Sequence, residues 1–370
     1  MGKKQLARNN RNPFTPTFGS VPPVLAGREQ IVGDMLRGLD NGVGDPHLCT
    51  LLTGARGTGK TALMAYIAAE AQERGWLHAG TTAVDGMLED IAQQAFASAA
   101  SFVPAAQTRV VSLDTATPSG AGGEPGRAFD PNWRTRMGAL IDQLQEHDMS
   151  LLITVDGAKT AVPEMKQLVT TYQHFVREQK PVALLIAGLP HKMYQLVNND
   201  DVSFLRRATL HTIGNVSVAQ TQEAMRSTVT AAGRTIGKAV ELAAQASQGY
   251  AYLIQLIGYY MWEANPSAEK ISKKDVNAGI EAGFDEFEQR VLQATYRSLS
   301  DGDLRFLACM LQGGDDVAVT DITKRLGVKP NYTSKYKLRL VEQGIIGETR
   351  RGRVQIELPM FKEYLEKVGI

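Results

Sequence analysis

Apolar residues recur along this chain in two rhythms. Short continuous runs at residues 47–53 (HLCTLLT), 77–84, 150–156 (SLLITVD), 182–187 (VALLIA) and 209–213 read as strands buried on both faces. Between them, helical spacing marks residues 30–39, 62–74, 87–102, 132–146 and 163–178. Strands alternating with helices of this length predict an α/β domain with a parallel sheet. After residue 218 the rhythm is helical alone, over 219–232, 236–247, 250–264 and 273–298. The last stretch changes again: helices at 301–311, 320–326 and 332–343 precede two short β-runs, 346–349 and 354–358. The chain therefore divides into a solvated tail (1–12), an α/β core (13–217), a helical lid (218–298) and a C-terminal unit (299–370). Inside the core, residues 104–131 lose the pattern. Their TATPSGAGGEPG segment has too little apolar surface to offset the entropy of ordering and predicts a mobile surface loop.

The first strand runs into Gly54-Ala55-Arg56-Gly57-Thr58-Gly59-Lys60-Thr61, which fits G-x-x-x-x-G-K-[ST]. That pattern carries weight only between a strand and a helix, and both flanks are present. Glycines let backbone N–H groups approach phosphate oxygens without an intervening Cβ, and the following helix presents its positive end. Lys60 would reach the outer phosphates and the Thr61 hydroxyl would ligate Mg²⁺.

A second element fits the same chemistry. The run SLLITVD ends in Asp156, a candidate for the magnesium side of the site. Gly157, Ala158 and Lys159 follow, so no carboxylate stands directly after Asp156 to activate water. His191, in the turn after the 182–187 strand, is placed to sense a γ-phosphate or to be an ordinary surface histidine. Arg206 and Arg207 precede the fifth strand and read equally as fingers toward a neighbouring subunit's phosphate or as caps on their own helix. Arg28, just ahead of the first helix, reads as a planar face beside a base or as a loop residue before a capping carboxylate.

In the C-terminal unit the order of three helices and a hairpin is that of a winged helix, a helix-turn-helix variant. Residues 324–353 hold nine Lys or Arg against two Glu, 9 − 2 = +7, in a chain whose net charge is +1. Thr333, Ser334, Lys335, Lys337 and Arg339 would lie on the helix that reads DNA, and Arg350, Arg351 and Arg353 on the wing. Winged helices also bind proteins, and that alternative stays open. The run DEFEQRV at 285–291 supplies mixed charges for an exposed helix face.

Composition adds boundaries. With 370 residues, 43% hydrophobic and 21% charged, the chain is ordinary for a soluble protein of two or three domains. Near-neutrality restricts any nucleic-acid surface to a local patch. Cys49 and Cys309 fall in different domains and predict free thiols in a reducing compartment. No apolar run is long enough to cross a bilayer and the basic first residues lack a signal-peptide core, so the expected location is the cytoplasm.

With both ends read, the chain resembles the AAA+ ATPases, specifically the prokaryotic origin-recognition and replication-initiator branch. The resemblance implies a three-layer P-loop NTPase core with a parallel sheet, a helical lid and a C-terminal winged helix. It implies ATP and Mg²⁺ as ligands, with double-stranded DNA and further copies of the chain as partners. It places Gly27 and Arg28 beside the base, Gly54 through Thr61 on the phosphates, Asp156 on Mg²⁺, and Arg206 or Arg207 as the finger. Three positions depart from the family. Gly157 replaces its hydrolytic Glu, no clear polar sensor follows the fourth strand unless His191 serves, and the lid's Gly-x-x-Arg reads Gly249-Tyr250-Ala251-Tyr252. The expectation is intact ATP binding with weak or impaired hydrolysis.

Overall fold

The structure is a computed structural model that describes residues 11–17, 19–100, 132–159 and 161–370. The tail over residues 1–10 and the whole of the 104–131 loop lie outside the described residues.

Five strands form one parallel sheet: β1 (Cys49–Thr53), β2 (Trp76–Thr82), β3 (Ser150–Asp156), β4 (Val182–Gly188) and β5 (Thr209–Thr212), in the order β2-β3-β4-β1-β5. The central strands are apolar throughout because both faces are covered. On one face, helices Met87–Ala99, Trp133–Gln145 and Pro163–Arg177 bury Ile91, Leu140 and Phe175 against Leu151 and Ile153. On the other, helices Glu29–Asn41 and Lys60–Gln72 bury Met35, Leu63 and Ile67 against Leu52, Leu152 and Leu185. The result is a three-layer α/β core. With β4 lying between β1 and β3, the turns after those two strands open on the same carboxyl edge of the sheet, where ligands bind in open α/β folds.

The lid comprises helices Val218–Ala231, Val240–Ala246, Ala251–Glu263 and Lys273–Phe287. The last two pack closely, since a Cβ on Gly279 would come within 2.5 Å of Met261 N. The expected helix over 236–247 is shorter than its sequence pattern, because Thr235–Ile236 pairs with Lys270–Ile271 as a two-stranded ribbon. Asn12 and Phe14 also belong here: Asn12 Nδ2 donates to Tyr259 O at 3.1 Å, and buried Phe14 lies against Gly258. The segment placed at the start of the core is thus pinned to the lid.

Helix Lys273–Phe287 continues through a π-turn, Glu288–Leu292, to Gln293–Arg297. A Ser300/Asp303 capping box then starts helix Asp301–Leu311. Strand Val317–Ala318, helices Val319–Leu326 and Pro330–Glu342, and strands Ile346–Arg350 and Arg353–Ile356 complete the winged-helix order of elements. A helix absent from the sequence reading, Phe361–Lys367, closes the core through buried Phe361 and Leu365. That core is continuous with the lid: Phe306, Leu340 and Val354 join one buried cluster with Tyr250, Leu253, Phe287 and Leu292. Lid and C-terminal domain therefore share apolar interior across residue 299.

Among the described residues, no helix is long and apolar enough to cross a membrane.

Candidate functional site

The glycine-rich turn follows β1 and closes on the helix it starts. Gly57 (φ 73°) and Gly59 (φ 92°) adopt left-handed backbone, which other residues occupy only at a cost. Space is restricted as well. A Cβ on Gly54 would stand 2.3 Å from Ile213 O, and one on Gly57 would stand 1.9 Å from the Tyr250 hydroxyl. Lys60, the first residue of its helix, turns back over the loop and its Nζ donates to Gly54 O at 2.9 Å and Ala55 O at 2.6 Å. Burial lowers the Lys60 pKa to about 8, with Asp156 partly opposing the shift. Thr58 closes the turn by donating to Ala55 O at 2.9 Å.

Thr61, in the first turn of helix Lys60–Gln72, and Asp156, the last residue of β3, meet. The Thr61 hydroxyl donates to Asp156 Oδ2 at 2.6 Å, while Gly157 N donates to Asp156 Oδ1 at 2.7 Å. A hydroxyl and a carboxylate side by side are the hard oxygen donors that Mg²⁺ takes, so the residues present fit that ion. Gly157 itself has φ 69°. The chain leaves β3 in a conformation suited to glycine, which accounts for the residue here but supplies no base.

Arg28 is buried, and its Nη2 donates to Thr58 O at 3.3 Å and Gly214 O at 2.5 Å, with Nη1 on Gly27 O at 3.3 Å. It ties the phosphate loop to the chain entering the lid and has its donors committed to carbonyls. Gly27, at φ 66°, allows that approach: a Cβ would meet Gln220 Oε1 at 3.0 Å.

These elements wall a cleft of about 600 Å³ between core and lid. Its lining includes four cationic residues, Arg28, Arg56, Lys60 and Arg290, and no Asp or Glu. Pro16, Val24, Leu25, Val216 and Met225 add an apolar wall. The lid reaches the loop directly, for the Tyr250 hydroxyl donates to Arg56 O at 2.9 Å. Sequence reasoning does not foresee the Tyr250 contact; it predicts the exposure of Arg290, which the structure has, but not that this residue also borders the cleft. Only the position of Tyr250 within the altered Gly-x-x-Arg stretch hinted at the first, and no local pattern marked the second.

Other predicted residues lie elsewhere. His191 begins no contact with the loop; its Nε2 stands 3.1 Å from Glu342 Oε1, at the end of the third C-terminal helix. Arg206 and Arg207 are exposed on the turn Asp200–Arg207, and Arg206 pairs with Asp200 at 3.1 Å. They are outside this chain's own cleft.

The C-terminal cations divide into two sets. Thr333 is fully buried and points into the domain, which corrects its assignment to a DNA-facing surface. Arg339 Nε donates to buried Asp303 Oδ1 at 2.8 Å, Arg353 Nε donates to Asp316 Oδ2 at 2.7 Å, and Lys337 pairs with Glu348. These three hold the domain together, so the count of +7 overstates the free charge. Ser334, Lys335, Arg350 and Arg351 are exposed, together with Lys324 and Lys329.

Comparison with solved structures places this architecture. The Aeropyrum pernix ORC2 protein in its ADPNP–ADP complexes is 14% identical, covers 95% of each chain and superposes with a TM-score of 0.60. The Walker-type ATPase paby2304 of Pyrococcus abyssi is 13% identical over 92% of this chain and 96% of its own, with a TM-score of 0.62. At these identities the likeness is one of fold alone: over nearly its whole length the chain shares the parallel-sheet α/β core followed by helical and C-terminal domains that these proteins have. Residues 289–365 match a family described as a domain of unknown function (DUF8462). No curated protein matches the chain.

Proposed function

We propose that this chain binds Mg·ATP between core and lid and uses the occupied cleft to set how its C-terminal winged helix engages double-stranded DNA. The observation that carries the reading is the cleft itself, whose lining gathers four cations around a glycine turn with the Thr61–Asp156 pair beside it. Backbone N–H groups of residues 54–61 and Lys60 would hold the phosphates, and the apolar wall the base. Thr61 and Asp156 would hold Mg²⁺, which when bound offsets phosphate charge. Without a base at Gly157, turnover is slow and ATP acts as a bound signal rather than a fuel. Arg206 and Arg207 would serve a neighbouring copy's nucleotide if the chain self-associates. Free Cys49 and Cys309 support a cytoplasmic setting.

DNA would meet Lys335, Arg350 and Arg351, the exposed cations of helix and wing. An electrophoretic shift of mixed-sequence duplex, run without nucleotide, with Mg·ADP and with Mg·ATP, tests this. The account expects binding that depends on nucleotide and is lost in the triple alanine variant of those residues. Binding indifferent to both would refute it.

A second reading has its own observation. Tyr332 and Leu338 are 57% and 41% exposed on the same helix, and Glu342 of that helix already contacts the core. A protein partner on this face, in place of DNA, would leave the duplex unshifted and be retained by nucleotide-loaded protein in a pull-down.

A further inference from the structure

The lid position where the family resemblance calls for an arginine is Tyr252, and an aromatic ring there leaves the outer phosphates without a cation from the lid. Another residue stands beside it. Arg290 belongs to the π-turn Glu288–Leu292, a single loosened turn in a helix that otherwise runs from Lys273 to Arg297. Such turns re-aim side chains and are frequent at functional sites. Arg290 and Val291 line the same cleft as Arg56 through Thr61.

Its place within the cleft is set by its neighbours. Tyr252 interacts with the Arg290 guanidinium, and Tyr250, two residues earlier, bonds the Arg56 carbonyl of the phosphate loop. Tyr250 and Tyr252 both pack on Phe287, with ring centroids 5.7 and 6.2 Å away. Arg290 and the phosphate loop thus line one cleft and are linked through the tyrosine pair on Phe287. The side chain is oriented without being consumed: Nε lies 2.8 Å from Glu286 Oε1, yet the side chain is 66% exposed. Glu286 is itself fixed by the Tyr260 hydroxyl. A guanidinium anchored by Glu286 and Tyr252 and still largely exposed keeps N–H groups to offer a phosphate.

We propose that Arg290 is the lid-side phosphate ligand, contacting the terminal phosphate of a bound nucleoside triphosphate in place of the arginine missing at Tyr252. The inference rests on the ATP-binding reading above. It also names a route for the signal, because the helix carrying Arg290 leads straight into Ser300 and the C-terminal domain, and Phe287 and Leu292 on either side belong to that domain's shared core. A diphosphate would not reach this residue, so Arg290 separates the two nucleotides.

The test is calorimetry of Mg·ATP and Mg·ADP on full-length wild type, Arg290→Ala, Arg290→Lys and Glu286→Gln. Loss of one charge-assisted contact predicts ATP binding weakened about tenfold or more in Arg290→Ala, with ADP binding changed less than about twofold. Arg290→Lys should recover part of the loss as a point charge, and Glu286→Gln should retain most ATP affinity. In wild type, ATP but not ADP should slow hydrogen exchange over residues 284–297, and Arg290→Ala should remove the difference. Equal loss for both nucleotides, or no loss for either, would overturn the assignment while leaving nucleotide binding intact. Absence of binding to folded wild type would instead remove the ATP reading itself.

Discussion

Glu342, the last residue of the third C-terminal helix, faces His191, the second residue of the helix that follows β4, at 3.1 Å. The same carboxylate oxygen lies 3.2 Å from Lys192 Nζ. One residue pair beyond, a Cβ on Gly344 would stand 3.2 Å from Arg56 N of the phosphate loop. The helix expected to read DNA therefore ends on the α/β core, beside His191. Partly exposed ion pairs contribute about 1 kcal/mol or less each. Glu342→Gln is expected to loosen the docking and speed hydrogen exchange over residues 190–197 and 330–342, with the fold retained. Unchanged exchange would show that apolar packing alone holds the two domains.

Lys60 gives the site a pH dependence. Burial lowers its pKa to about 8 from the ordinary 10.5, so the amine is charged below that point and increasingly neutral above it. A bound polyphosphate favours the charged form and raises the pKa again. Mg·ATP affinity should consequently fall as pH rises from about 8 toward 10, and binding in that window should take up protons. Calorimetry in buffers of different ionisation enthalpy measures the uptake; Lys60→Arg, which stays charged, should abolish it.

Gly57 and Tyr250 test the contact between loop and lid. Tyr250→Phe removes the hydrogen bond to Arg56 O and should cost about 0.5–1.5 kcal/mol of stability. Gly57→Ala should cost more, because it combines a left-handed backbone with a Cβ driven into the Tyr250 hydroxyl. Chemical denaturation of each variant and of the double variant gives the comparison. The double variant should be more stable than additivity predicts, because the hydroxyl that it lacks is both the hydrogen-bond donor and the atom nearest the new Cβ.

The C-terminal cations should separate by role. Arg339→Ala strands buried Asp303 and is expected to destabilise the domain by about 3–5 kcal/mol. The triple alanine variant of Lys335, Arg350 and Arg351 should leave stability within about 0.5 kcal/mol. Its effect falls on DNA, where three lost phosphate contacts reduce the slope of log affinity against log salt by about 3.

How far the sequence disclosed this molecule depends on the range of the interactions concerned. The span Ser150–Asp156 was legible to the residue, and helix Lys60–Gln72 nearly so against the expected 62–74, since a continuous apolar run and a glycine turn are local signals. Thr61 and Asp156 could be paired in advance because motif and strand end both point to one edge of the sheet. Arg28, by contrast, reads in the sequence as a face beside a base or as a loop residue, and only the arrival of Gly214 beside Thr58 makes it a buried clamp. Charge counting failed in the same way for Arg339 and Arg353, whose partners Asp303 and Asp316 lie outside the counted window. Arg290 sits in a run that reads as a solvated helix face until the π-turn and the lid tyrosines place it.

The most direct measurement is titration of purified, folded full-length protein with Mg·ATP by isothermal calorimetry, with Lys60→Ala as the control. The account predicts saturable heat for one site with a dissociation constant on the order of micromolar or tighter, and none from Lys60→Ala. No heat from folded wild type, or heat from Lys60→Ala indistinguishable from it, would contradict the account.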